Sequence, residues 1–342
     1  MKKIAFFDTK QYDRKWFDRL NKDFEIEYYD EKLNAHTARL AKGFDGVIAF
    51  VNDDLCADTI DCLCEYGIKV VAMRCSGYNN VNFKSAHNRI TILRVPVYSP
   101  YAIAEHSMAL FLALNRKIHK AYNRTRDFNF SLHGLSGFDL NGKTVGVIGT
   151  GKIGQIFIKI CNGFGMNILA YDPYHIENPD FKYVELETLY RESDVISLHC
   201  PLTKSSKYML DEHAFSQMKN GVYVINTSRG GLIESEALLN ALKTKKVAGA
   251  GLDVYEEETE LFFEDFSNKI VNDDILARLV SLPNVIITSH QAFLTDEALK
   301  NIAEITLSNL NNYFNCKPLI NEVCYSAKNN DVCFDCSKKN IS

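Results

Sequence analysis

The chain has 342 residues, a formal net charge of −4 and an apolar content of 46%, which allow two globular domains of ordinary size. No run of like charges suggests nucleic acid or an anionic membrane surface as a partner, and no apolar stretch approaches the roughly 18 residues of a membrane span. The N-terminal residues reach an acid too early for a signal peptide. We therefore expect a cytoplasmic protein with neither a membrane nor a nucleic-acid partner.

Most of the ten cysteines lie in apolar segments, and without an export signal we expect them to be reduced thiols. The exception is the pair Cys333-x-x-Cys336, to which Cys316 or Cys324 could add ligands for zinc. This spacing is not a recognised four-ligand pattern, so we expect no metal.

The first 98 residues alternate short apolar runs with stretches of helical spacing, for example Leu55–Tyr66. This alternation predicts a parallel sheet with helices on both faces, and the absence of a glycine-rich turn predicts that this domain does not hold a nucleotide. The predicted strands are Ile4–Phe7, Ile26–Tyr29, Val47–Phe50, Val70–Met73 and Ile92–Val95. One long helix is then expected from Tyr101 to about Thr125.

The stretch Lys143–Asp172 reads as a strand, a glycine-rich turn, a helix and a second strand that ends in an acid. In the turn, Gly149 permits a tight bend, Gly151 lets the backbone approach a pyrophosphate, and Gly154 lets the helix pack close to the strand. The helix N-terminus offers free N–H groups to phosphates. Asp172 can accept hydrogen bonds from ribose hydroxyls and repels a 2′-phosphate. The stretch therefore predicts a βαβ unit that binds NAD rather than NADP.

Three further loops follow predicted strands of the same domain, at the sheet edge where ligands of open α/β folds collect. They are Asn226–Gly231, Asp253–Glu258 and Ser289–Phe293, which supply an arginine, carboxylates and a histidine. A guanidinium can hold a substrate carboxylate and polarise a carbonyl. An imidazole can protonate a forming alkoxide, and a carboxylate on its other nitrogen fixes the tautomer. These residue types suit hydride transfer to a ketone.

Over nearly its whole length the sequence resembles the D-2-hydroxyacid dehydrogenase family, and it is most similar to the fermentative bacterial D-lactate dehydrogenases. The runs that carry the resemblance are Phe50–Asp54, Arg74–Val81, Val95–Pro100, Asp194–Leu202, Asn226–Gly231 and His290–Thr295.

The resemblance implies an α/β protein with two Rossmann-like domains and the active site in the cleft between them. A flavodoxin-like substrate domain would comprise residues 1–100 and 295–342, and an NAD-binding domain residues 101–294. The implied reaction is reduction of pyruvate to D-lactate with NADH, in a homodimer or homotetramer. The alternative is a broader D-2-hydroxyacid dehydrogenase for larger 2-keto acids. A phosphoglycerate dehydrogenase or an NAD-sensing corepressor is disfavoured, because those carry a further C-terminal domain or long disordered tails.

Carried over residue by residue, the resemblance implies that Arg229 binds the substrate carboxylate and orients its carbonyl, and that His290 is the catalytic acid. Glu258 is expected to pair with His290; its choice over Glu256 or Glu257, which we expect to be solvated, rests on its offset from Asp253.

The other expected contacts divide between substrate and cofactor. The backbone around Ser76 and Gly77 is expected to take the substrate carboxylate, with Tyr98 and Phe293 bordering the pocket. His199 is expected to border the adenine site without taking part in the chemistry. Five other histidines are interpreted as merely packed or exposed: His106, His119, His133, His175 and His213. The expected cofactor-binding residues are Gly149, Gly151, Lys152, Ile153, Gly154, Asp172, Cys200, Pro201, Thr227, Ser228 and Asp253.

Overall fold

A computed structural model describes residues 1–177, 180–257, 262–326 and 331–333, so that the predicted Glu258 and Cys336 lie outside the described residues. The helices are Gln11–Leu20 (α1), Ala57–Glu65 (α2), Phe83–Ala86 (α3), Pro100–Arg116 (α4), Ile118–Arg126 (α5), Lys152–Gly163 (α6), Leu186–Glu192 (α7), Glu212–Gln217 (α8), Ser235–Lys243 (α9), Asp274–Ser281 (α10) and Asp296–Phe314 (α11). The strands are Lys2–Phe6 (β1), Phe24–Tyr28 (β2), Gly46–Ala49 (β3), Val70–Met73 (β4), Thr91–Leu93 (β5), Thr144–Ile148 (β6), Asn167–Tyr171 (β7), Lys182–Tyr183 (β8), Val195–Leu198 (β9), Val222–Asn226 (β10), Val247–Leu252 (β11), Val285–Ile287 (β12), Glu322–Ser326 (β13) and Asp331–Cys333 (β14).

The chain divides into two compact units, and the first comprises Met1–Ser99 and Leu294–Ser342. Its sheet has the strand order β14-β13-β5-β4-β3-β1-β2, in which β1 to β5 run parallel. The apolar strands are buried, as expected where helices cover a parallel sheet. Ile48 and Val70 pack in one core cluster with Leu310 of α11, so the C-terminal helix belongs to this unit.

The C-terminal tail corrects two predictions for this unit. The tail showed no clear pattern, yet β13 pairs antiparallel with β5, with Val323 opposite Ile92, so the sheet is mixed rather than parallel. Cys324 is disulfide-bonded, whereas the sequence predicted reduced thiols outside the Cys333–Cys336 pair. Cys333 is opposite Cys324 in the antiparallel register of β13 and β14.

The second unit, Pro100–Phe293, contains a fully parallel sheet in the order β12-β11-β10-β9-β6-β7-β8. Two core clusters cover its faces: one includes Phe111 and Phe157 from α4 and α6, and the other Phe215 and Leu238 from α8 and α9. The chain runs from β6 outward to β7 and β8, then returns to β9 on the other side of β6. Such a reversal of strand order opens a crevice at the carboxyl ends of the two central strands.

The helix predicted from Tyr101 to about Thr125 is two helices. Lys117 has a left-handed backbone, with φ of 50°, and separates α4 from α5. A right-handed helix needs a φ near −60° at every residue, so it does not continue through Lys117. Within the described part of the chain, no helix is both long enough and apolar enough to cross a membrane.

Candidate active site and nucleotide-binding site

The loops predicted to bind ligands lie side by side at the carboxyl edge of the second unit's sheet, because β12, β11, β10, β9 and β6 are consecutive parallel neighbours. Backbone bonds continue from strand to strand into these loops. The N–H of Asp253 donates to the Asn226 carbonyl at 2.8 Å, and that of Thr288 donates to the Leu252 carbonyl at 2.8 Å. The loops are therefore held in fixed order by the sheet.

The glycine turn between β6 and α6 has the geometry that its three glycines predict. Gly149 has φ of 99°, and a Cβ there would lie 2.6 Å from the Cys200 nitrogen. A Cβ at Gly154 would overlap the Gly149 carbonyl oxygen, so the helix packs directly on the turn. A Cβ at Gly151 would meet nothing within 4 Å. The space over Gly151 is open where a pyrophosphate is expected, beside the exposed Lys152 at the start of α6.

Asp172, at the end of β7, is tied to the glycine turn. Its Oδ2 accepts a hydrogen bond from the Thr150 N–H at 2.8 Å, and its Oδ1 accepts one from the Tyr174 N–H at 2.9 Å. A carboxylate offers about four lone-pair sites, so capacity remains for ribose hydroxyls. Asp172 thus both shapes the turn and presents its charge beside it.

The segment that follows β9 packs against the glycine turn. The Ser228 hydroxyl donates to the Cys200 carbonyl at 2.6 Å, which joins this segment to the arginine loop. Burial raises the pKa of the Cys200 thiol to about 12, so it is neutral near pH 7. Burial also lowers the pKa of His199 to about 3, and its ring packs against Phe157 with centroids 4.8 Å apart. His199 is therefore a neutral packing residue, while the neighbouring Pro201 is exposed.

The arginine loop is shaped by Asn226, whose side chain donates to the Arg229 carbonyl at 2.9 Å and accepts from the Ser228 N–H at 3.0 Å. A Cβ at Gly230 would overlap the Tyr255 carbonyl, which accounts for the glycine after the arginine. Arg229 is half-buried, and its Nη1 donates to the Ser228 carbonyl at 2.7 Å. The other guanidinium donors leave room for a bidentate carboxylate contact.

Asp253 organises the histidine loop. The carboxylate is fully buried: Oδ1 accepts from the Thr288 hydroxyl at 2.5 Å and the Gln291 N–H at 2.9 Å, and Oδ2 accepts from the Ala292 N–H at 2.8 Å. The His290 N–H donates to the Asp253 carbonyl at 2.8 Å. These bonds hold His290 half-buried at φ of 53°, in the left-handed region that few non-glycine residues adopt. The expected contact of Asp253 with the cofactor stays a prediction.

His106 was expected to be only packed or exposed, but the structure places it at this site. Its Nε2 lies 3.1 Å from the Thr288 hydroxyl and 3.4 Å from Asp253 Oδ1. It projects from α4, far from both partners in sequence, so no local motif could have revealed it.

The acidic loop also departs from expectation. Glu256 was expected to be solvated, but it accepts hydrogen bonds from the Tyr208 hydroxyl and, at 3.3 Å, from the Ser235 N–H. Glu257 is exposed. The structure does not describe Glu258, so its pairing with His290 stays a prediction.

The other expected contacts are distributed as follows. Ile153 and Thr227 lie in the second unit; the Thr227 hydroxyl is 2.7 Å from that of Ser107. Phe293 is the last residue of that unit, and its side chain is buried, with 7% exposed. The first unit carries the segment 75–77, one residue beyond the end of β4, and the half-buried Tyr98.

Sequence comparison places these features in a known context. Residues 108–292, more than half of the chain, match the family described as "D-isomer specific 2-hydroxyacid dehydrogenase, NAD binding domain". The chain belongs to this family. The D-lactate dehydrogenase of Escherichia coli K12 is 51% identical over 316 residues, which cover 91% of this chain and 96% of that protein.

Solved structures of the family agree in fold. The apo structure of D-lactate dehydrogenase from Escherichia coli superposes with a TM-score of 0.86 at 47% identity, covering 94% of this chain and 99% of that one. A D-2-hydroxyisocaproate dehydrogenase superposes with a TM-score of 0.84 at 35% identity, with the same coverages. The chain is thus an NAD-dependent oxidoreductase with an NAD-binding domain of the Rossmann type, and the open glycine turn with its adjacent acid fits the cofactor.

Proposed function

We propose that this dehydrogenase reduces pyruvate to D-lactate, with NADH as the hydride donor. The proposal is carried by the sheet edge that sets Arg229, the Asp253-anchored His290 and the glycine turn on neighbouring strands. The 51% identity with a D-lactate dehydrogenase supports the choice of substrate.

The residues divide the chemistry as follows. Arg229 holds the carboxylate and polarises the ketone of pyruvate. His290 donates a proton to the carbonyl oxygen as negative charge develops there, and Glu258 favours the charged imidazole. The backbone at Ser76 and Gly77 binds the substrate carboxylate. When bound, NADH supplies the hydride, and the glycine turn with Asp172 holds its pyrophosphate and ribose.

A broader 2-hydroxyacid dehydrogenase is the second candidate. It is favoured by the similarity to the D-2-hydroxyisocaproate dehydrogenase, whose name indicates a larger substrate. Two aromatic residues, Tyr98 and Phe293, border the proposed pocket and would leave room for a methyl group and little more. One methylene changes discrimination by about 1–3 kcal/mol in such a pocket, which favours pyruvate.

The two candidates are separated by steady-state NADH oxidation with pyruvate, 2-ketobutyrate, 2-ketoisocaproate and phenylpyruvate. We expect kcat/KM for pyruvate to exceed that for 2-ketobutyrate by roughly tenfold or more, and the branched and phenyl acids to be poorer still. Equal turnover of phenylpyruvate and pyruvate would replace the lactate assignment with the broader enzyme.

We further propose that the enzyme is a cytoplasmic homo-oligomer, a dimer or tetramer that associates through the second unit. The support is an exposed apolar segment after α5: Phe128, Phe130 and Leu132 are 84%, 70% and 81% exposed. Contiguous exposed apolar groups are typical of interaction sites. Analytical sedimentation of the wild type and of a Phe130→Ser variant measures the oligomeric state. A monomeric wild type would contradict the proposed homo-oligomer.

A further inference from the structure

The segment 75–77, which is proposed to bind the substrate carboxylate, is hydrogen-bonded to the segment that follows β5. The Val95 N–H donates to the Cys75 carbonyl at 3.1 Å, and the Ser76 hydroxyl donates to the Pro96 carbonyl at 3.3 Å. A third bond is made by a charged group: Arg94 Nη1 donates to the Ser76 carbonyl at 3.0 Å.

The bond from Arg94 fixes more than the carbonyl that it touches. The peptide between Ser76 and Gly77 is planar, and the described chain has no cis peptide bond. In a trans peptide the C=O and N–H point in opposite directions, so holding the Ser76 oxygen sets the direction of the Gly77 N–H. Among the described residues, no protein group accepts a hydrogen bond from that N–H.

Arg94 is itself held on several sides. Its N–H donates to the Asn321 carbonyl at 3.1 Å, and its carbonyl accepts from the Asn309 side chain at 2.9 Å. Its guanidinium lies 5.2 Å from the Tyr78 ring centroid. The side chain is half-buried, and this burial lowers its pKa below the ordinary arginine value, although arginine keeps its charge in proteins.

A charged donor on the Ser76 oxygen also acts on the far side of the peptide. It draws electron density from the amide, and hydrogen bonds in such a chain strengthen one another. The Gly77 N–H therefore becomes a better donor toward an anion. A neutral donor at the same place would orient the peptide without this effect.

We propose that Arg94 is a positioning residue that aims and polarises the Gly77 N–H for the carboxylate of the 2-keto acid substrate. This proposal rests on the proposed function. In this proposal Arg94 acts on the carboxylate through a peptide group rather than by contact, unlike the role proposed for Arg229.

The test compares Arg94→Met, Arg94→Gln and Arg94→Lys with the wild type in KM for pyruvate, kcat, NADH affinity and melting temperature. Loss of a charge-assisted bond predicts a KM for pyruvate about tenfold to a hundredfold higher in the Met variant. We expect the KM of the Gln variant to be close to that of the Met variant, and the KM of the Lys variant to be only severalfold above that of the wild type. In all three, NADH affinity should stay within about twofold, and kcat should fall much less than KM rises.

Arg89→Met is the matched control, because Arg89 is an exposed arginine of the same unit that pairs with Asp61 at 2.6 Å. It should keep wild-type KM and kcat. An unchanged KM in Arg94→Met would overturn the proposal, as would parallel losses of pyruvate affinity, NADH affinity and melting temperature, which indicate a merely structural role. If the Met variant does not fold, the Gln variant decides on the same criteria.

The wild type is assayed first with the 2-keto acid panel, and the variants are then assayed with whichever acid it turns over. A wild type without activity toward any 2-keto acid removes the proposed function and this inference together. An active wild type whose KM is insensitive to Arg94 removes the positioning role alone.

Discussion

The backbone N–H of His290 donates a hydrogen bond to the carbonyl oxygen of Asp253 at 2.8 Å. The carboxylate of Asp253 accepts hydrogen bonds from the N–H groups of the two residues that follow the histidine. The proposed proton donor is thus positioned by a buried acid on the neighbouring strand end. Its left-handed backbone is maintained by these bonds, since such a conformation is otherwise costly for a non-glycine residue.

Asp253→Asn should therefore impair catalysis although the side chain keeps its shape. An amide offers one oxygen where the carboxylate offers two, so a buried N–H or hydroxyl donor would be left unpaired at a cost of about 1–3 kcal/mol. We expect kcat to fall by at least about tenfold, with the loop loosened. Asp265→Asn is the control, because Asp265 is solvent-exposed and accepts only from Ser267 in the bonds described. Wild-type kcat in Asp253→Asn would contradict the organising role.

Replacement of His290 tests the proton donor itself. Asn is the suitable substitute, because Asn tolerates a left-handed backbone better than other residues with a Cβ. A general acid contributes roughly 10²–10⁴ in rate, so His290→Asn should lose about that much in kcat while fluorescence titration shows unchanged NADH affinity. The exposed His213, whose ring bonds to Gln217, supplies the control His213→Asn. A loss below tenfold would exclude His290 as the acid.

Asp172→Ala should narrow the preference for NADH over NADPH. Because Asp172 also bonds the Thr150 N–H, the substitution should weaken NADH use by about tenfold or more. The gain toward NADPH should be partial, since no lysine or arginine occupies positions 173 to 175 to pair with the 2′-phosphate. The measurement is kcat/KM for both coenzymes, with the exposed Asp139→Ala as the control. An unchanged ratio would show that Asp172 is not at the ribose.

The sequence predicts the central strands well because their apolar, β-branched runs are buried on both faces, as in β4, which was predicted with its observed bounds. The glycine turn could also be predicted, because Gly149 and Gly154 each meet a local steric requirement of the turn. Features that depend on contacts between distant residues could not be predicted from the sequence. The pairing of β13 with β5 and the placement of His106 beside Asp253 depend on residues far away in the chain.

A buried acid in the first unit predicts the pH dependence of stability. Burial raises the pKa of Asp53 to about 7, although the N–H groups of Phe50 and Leu33 and the Arg74 guanidinium lower it, while Asp8 raises it further. The folded state therefore keeps a proton that the unfolded state releases near pH 4. Stability contributed by this group is present at low pH and is lost as the pH rises toward 7, by up to about 1.4 kcal/mol per pH unit.

Asp53→Asn should remove this slope, because the amide does not titrate. Urea unfolding at pH 5 and pH 7 should give a free-energy difference about 2 kcal/mol larger for the wild type than for the variant. Asp54→Asn, at an exposed neighbouring position, should behave as the wild type. Equal slopes in wild type and Asp53→Asn would show that Asp53 is already ionised at pH 5.

The central claim, reduction of pyruvate by hydride transfer from NADH with D stereochemistry, is tested most directly by incubating the wild-type enzyme with both compounds and resolving the product on a chiral column. We predict stoichiometric conversion of NADH and pyruvate into D-lactate. Formation of L-lactate, or no lactate at all, would contradict the account.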